Sequence, residues 1–170
     1  PNVLELGGRD QEALSRAVTT LAQALPSDPA LSFRRAECVR AEIRVPGTGA
    51  RLQVNAMSLS TWRGLMRDTG RETRAGREEG EMLGTGYFHG VSGIRTDDRV
   101  LLRAQDGTTM ERIFRIIPEG YALSSSTALF QIVLADADWD RLALSARPQD
   151  RLFSALWNLA DIEAFRSLEP

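Results

Sequence analysis

Three aspartates in five residues, Asp136, Asp138 and Asp140, follow the apolar run FQIVLA at 130–135. Carboxylates spaced this way at the end of an apolar strand can offer oxygen ligands to a divalent cation. As a calcium loop the segment fails, because Arg141 stands where the sharp turn requires glycine and Arg147 where the closing glutamate belongs. The preferred reading is that these acids cap a helix and complement its amino-terminal dipole, which assigns no metal and leaves Asp136 and Asp138 as the metal candidates. The chain has one histidine, His89, and one cysteine, Cys38, so any triad or thiol mechanism would have to use them. No serine sits in a G-x-S-x-G elbow, and His89 lies among glycines beside Tyr87 and Phe88, as a loop or edge-strand residue would. The segment GTGYFHG at 84–90 has the glycines of a phosphate-cradling loop without the flanking strand, helix and Lys-Ser/Thr pair. No catalytic residue and no cofactor is therefore assigned, and the chain is not read as an enzyme.

A second group of reactive side chains is electrostatic. RDTGRETRAGREEGE at 67–81 brings together Arg67, Arg71, Arg74 and Arg77 with Asp68, Glu72, Glu78, Glu79 and Glu81 and has no large apolar residue. Such a segment buries too little surface to offset its ordering entropy, so a mobile arm is expected. Without aromatics to stack bases, and with its charges nearly cancelled, the arm suits a protein partner, and Arg67, Arg71, Glu72, Arg74, Arg77, Glu78 and Glu79 are its candidate contacts.

The whole chain repeats that balance. Its 170 residues carry 21 basic side chains, all arginine, against 23 acidic ones, for a net charge of −2. No global field draws it to nucleic acid, although a local basic patch is compatible with these totals. A GC-rich genome is the plain reason for the missing lysines, while selection for forked donors is the sharper one. The length predicts one domain that needs no disulfide or metal to fold. A lone cysteine suits a reducing compartment, and no run approaches a membrane span or a signal peptide.

The elements that must position these groups follow from periodicity. Leu14, Ala17, Val18, Leu21 and Leu25 predict a helix over about 9–25, with Asp10 as its cap and Pro26 as its stop. Alternation over 31–45 and 51–56 around Pro46-Gly47-Thr48-Gly49 predicts a hairpin, with Arg40, Glu42, Arg44, Arg51 and Gln53 on its wet face. A helical turn at 60–66, then strands at 82–91, 98–104, 109–117 and 126–135, complete the middle of the chain. Short turns between strands predict an antiparallel meander or small β-barrel, mainly β with an amino-terminal helix and a carboxy-terminal helical extension, α+β overall. The expected divisions are a helical segment at 1–30, a barrel core at 31–136 with the 67–81 arm inserted, and a helical extension at 137–170 with helices over 138–145 and from Pro148 onward. Phe153, Trp157 and Phe165 would line the packing or interface side of the last helix.

From Gln53 to Ala135 the pattern resembles the small head–tail joining (head-closure, or stopper) proteins of long-tailed bacteriophages. The resemblance is carried by Gly93-Ile94-Arg95-Thr96-Asp97-Asp98-Arg99-Val100, by Asp106-Gly107, by Ile113-Phe114-Arg115-Ile116-Ile117-Pro118, and by Phe130-Gln131-Ile132-Val133-Leu134. It implies a structural virion component of the neck, assembled in the host cytoplasm. It further implies a homo-oligomeric ring between a portal or adaptor protein and a tail terminator or tail-tube protein, with double-stranded DNA passing through non-specifically and no membrane partner. Two other classes compete with this reading: a metal-dependent nucleotide-sugar transferase using Asp136 and Asp138, and a small-barrel module for peptides or oligosaccharides.

Overall fold

The computed structural model describes residues 2–24, 33–68, 80–117 and 131–159. Strands β1 (Asn2–Gly8), β2 (Phe33–Arg44), β3 (Arg51–Ser58), β4 (Glu81–Gly84), β5 (Arg99–Arg103), β6 (Thr109–Ile116), β7 (Ile132–Leu134) and β8 (Arg151–Leu159) form one sheet. Helices α1 (Gln11–Ala24), α2 (Leu59–Asp68), α3 (Gly86–Ser92) and α4 (Asp136–Ser145) surround it. The strand order β2-β3-β7-β4-β6-β5 returns to β2, where Glu42, Ile43 and Arg44 pair with Arg103, Leu102 and Leu101. That last pairing closes a six-stranded barrel. Strand β2 is long enough to serve twice: beyond the closure, Phe33–Val39 pairs with β8, and β8 carries β1 on its other edge.

Period-two alternation explains the barrel wall, since successive side chains of a strand point to opposite faces. Val39, Ala41, Ile43, Val54, Ala56, Met82, Val100, Leu102, Met110, Phe114, Ile132 and Leu134 fill the interior. Residues of the other parity, Cys38, Met57, Leu83 and Val133, form a second cluster with Trp62, Leu65 and Met66 of α2 on the outside of the wall. All three residues of β7 are buried because the barrel core covers one face and α2 the other. The close fit is clearest at Gly84, where a Cβ would overlap the Phe114 ring. Phe114 meets Phe88 edge-on at 6.2 Å and stacks beside His89 at 6.5 Å.

The amino-terminal helix is present, and Asp10 Oδ1 accepts the amides of Glu12 (2.9 Å) and Ala13 (3.0 Å). The hairpin, the α2 turn, β5, β6 and the helix at 136–145 also lie where periodicity put them. Four expectations need correction. The expected strand at 82–91 stops at Gly84, and α3 replaces the rest: Thr85 Oγ1 accepts the Phe88 amide and Gly93 ends the helix at φ 71°. The helix expected from Pro148 is a single 3-10 turn, Pro148–Asp150, and Arg151–Leu159 is a strand bonded along both edges. The meander is not wholly antiparallel, because β3 with β7 and β4 with β6 run parallel. Finally, residues 2–8, expected as part of the helical segment at 1–30, form the strand β1.

Candidate functional site

The acids at the head of α4 are engaged by protein groups. Asp138 receives Arg112 of β6 bidentately, Nε on Oδ2 at 2.6 Å and Nη2 on Oδ1, with both side chains largely buried. The hydrogen bond to Asp138, reinforced by its charge and opposed by burial, raises the affinity of the Arg112 guanidinium for its proton. Asp136 Oδ1 accepts the Ser60 amide at 2.9 Å, so one helix supplies the cap of another. Trp139 Nε1 donates to the Ala56 carbonyl at 3.0 Å. The aspartates therefore pin α4 to β6, to α2 and, through Trp139, to β3. Among the described residues no group of three His, Cys, Asp or Glu side chains could hold a metal ion.

His89 belongs to α3, which corrects its expected place in a loop or edge strand. Its Nδ1 lies 2.6 Å from the Ile94 carbonyl, a contact that ties α3 to the segment leading into β5. Cys38 is fully buried in the cluster beneath α2. The two side chains that a thiol mechanism would need thus lie in different hydrophobic layers.

Of the expected arm, only the ends are described. Arg67 is exposed in the last turn of α2, while Gly80 and Glu81 belong to the barrel: the Gly80 carbonyl accepts the Ile113 amide at 2.9 Å. Arg115 bridges Glu81 (3.0 Å) and Asp97, and Asp97 takes a left-handed φ of 74° to reach it. The arm therefore springs from two fixed points, and its candidates Arg71, Glu72, Arg74, Arg77, Glu78 and Glu79 lie outside the described residues. Phe153 is half-buried on β8 opposite Glu37, and Trp157 sits on the same strand opposite Phe33 and Leu4. Both occupy a strand rather than the expected helix, and Phe165 lies outside the described residues.

Two concavities among the described residues bear on function. A cleft of about 280 Å³ lies where α1 covers the β2–β8 extension, lined by Ser15, Arg35, Ser58, Thr61, Trp139 and Phe153 among others. Its polar groups largely serve one another, Arg35 reaching Ser15 at 3.4 Å and Ser58 donating to Thr61 at 2.8 Å.

The other, about 340 Å³, is a groove on the outer barrel surface across β3, β2 and β5. Arg44, Arg51 and Arg103 surround it, with Glu42 as the single acid of its lining. No periodicity signal distinguishes these arginines from other wet-face residues; the register brings Arg103 beside the hairpin that carries the other two. Asp106, in the adjoining β5–β6 turn, faces its own turn: the Thr108 amide at 2.8 Å, with the Thr108 side chain, holds its carboxyl below the usual aspartate range.

No protein-family model and no curated protein matches the sequence.

Proposed function

We propose that this chain is a structural component of the joint between the head and tail of a long-tailed bacteriophage. In this reading it assembles as a ring around the DNA channel, between a portal or adaptor protein and a tail terminator or tail-tube protein. It is built in the host cytoplasm and resides in the neck of the virion.

One observation carries the reading. The segments behind the resemblance fall on three staves of a single closed barrel: Arg99 and Val100 open β5, Asp106-Gly107 turns it into the adjacent β6, Ile113 to Ile116 lie in β6, and Ile132 to Leu134 form β7, with β4 between β6 and β7. A closed barrel is a stiff body with no free edges inside the ring of strands, which suits a part that must transmit load. The charged insertion at 69–79 joins α2 to β4 in the chain, and this reading assigns it the contact with a neighbour. Ring formation needs two different patches that meet head to tail and close by rotation. In this reading the mixed charges of 69–79 supply one such patch by fixing register against a neighbour.

Light scattering coupled to gel filtration, followed by negative-stain microscopy, tests this directly. A closed ring, or assembly on addition of the neighbouring portal or tail-tube protein, is expected. A chain that stays monomeric and binds none of these partners would overturn the reading.

A further inference from the structure

We infer that the arginine groove on the outer barrel surface is a contact site for the phosphate backbone of double-stranded DNA. Arg44 stands directly opposite Arg51 on β3 and opposite Leu101 on β5, and Glu42 stands opposite Arg103. Three guanidinium-bearing positions therefore lie on three adjacent strands, a width of roughly 10 Å at ordinary strand spacing. Like charges directly opposite one another weaken a sheet. This one keeps such a pair on an exposed face, an arrangement that an anion seated between the forks would offset.

The contrast with the other barrel arginines sharpens the case. Arg99, Arg112 and Arg115 of the barrel and Arg151 of β8 each engage a carboxylate, whereas Arg40 of β2, outside the groove, has no ion-pair partner among the described residues. Among the described residues Arg44 and Arg103 have no ion-pair partner, and Arg51 has only a 3.8 Å contact with Glu42. The groove lining is net positive by two, although the chain as a whole is negative.

The ligand class follows from the donors. Guanidinium forks match phosphate oxygens bidentately. No aromatic lines the groove to stack an unpaired base, which favours the backbone of a duplex over a single strand. An acidic protein surface would also meet the charges, but Leu101 is the one large apolar side chain of the lining, and protein interfaces draw their energy from buried apolar and aromatic anchors. Gly107 and Thr109 complete the lining. The inference deepens the ring reading and rests on it for the presence of DNA, while its chemistry belongs to the groove alone.

The test is fluorescence anisotropy of the full chain with a short labelled duplex of arbitrary sequence, titrated with salt, alongside the oligomer assay. Replacing Arg44, Arg51 and Arg103 together by alanine should weaken binding on the order of tenfold or more and make the log–log salt slope shallower by about three. Glu42→Gln should tighten binding, a response that a merely structural role would not produce. Circular dichroism of the triple variant should match the parent, since the three side chains are exposed. Duplex binding that is absent in the parent, or unchanged in the triple variant, overturns the inference and leaves the ring reading to its own assembly test. A triple variant that keeps its DNA affinity but loses assembly marks the groove as a protein interface and also overturns it. Arginine-dependent duplex binding by a chain that forms no ring upholds the groove while the ring reading fails.

Discussion

The Arg112–Asp138 pair is the residue on which most depends. A carboxylate and a guanidinium this buried each lose hydration, and their two shared hydrogen bonds recover it only while both are present. Asp138→Ala leaves the guanidinium charged and without its carboxylate at the wall of the barrel, which should cost about 3 kcal/mol. For a chain of this size that corresponds to a fall of roughly 10 °C in melting temperature by calorimetry. Adding Arg112→Met to the same chain should recover part of the loss, because the remaining charge is then gone. Manganese should leave the melting temperature of the parent unchanged; a manganese-dependent rise that Asp138→Ala removes would restore the metal reading of the aspartates. The sequence reading took these acids as caps of their own helix; α4 instead has Ala135 at its N-cap with no side-chain cap bond, and Asp136 and Asp138 lie within its first turn. Asp136 does cap a helix, but that helix is α2 rather than its own. The partner Arg112, 26 residues away, could not be read from local spacing.

The two mistaken elements show where periodicity runs out. Over 151–160, Leu152, Phe153, Leu156, Trp157, Leu159 and Ala160 satisfy helical spacing, yet the same run is apolar on both parities and fits a strand buried between two others. Pairing decides the matter: β8 takes hydrogen bonds from β1 on one side and β2 on the other, a gain no isolated helix matches. Ala155 stands opposite both Leu6 and Arg35, so Ala155→Pro should remove a ladder bond and destabilise the fold by about 2 kcal/mol or more, as measured by urea denaturation. Cα chemical shifts over 151–159 should read extended in the parent. The second element, α3, did leave a legible signal that three glycines obscured. Thr85 as amino-terminal cap and Gly93 as the left-handed stop bracket seven residues, and the pair defines a short helix once glycine is not counted against it.

At the scale of the molecule, the proposed function gives the arm and the barrel separable roles. Fixed at Asp68 and Gly80, residues 69–79 can be exchanged for a Gly-Ser linker of equal length without touching a described contact. The melting temperature should stay within a few degrees of the parent, while ring formation or partner binding in the light-scattering assay should be lost. A linker variant that assembles as well as the parent would move the interface elsewhere on the barrel.

What the sequence determined by itself is what local chemistry controls. The capped helix at 11–24, the hairpin around Gly47, the DG turn at 106–107 and the alternation that splits interior from exterior all depend on neighbours within a few residues. Only the tertiary structure decided the closure of β2 on β5, the parallel pairings of β7 and β4, the strand at 151–159 and the company of Arg103 with Arg44 and Arg51. Each of those is a hydrogen-bond register or a charge cluster joining residues far apart in the chain. Its free energy exists only after the loop between them has closed, so no window of sequence carries it.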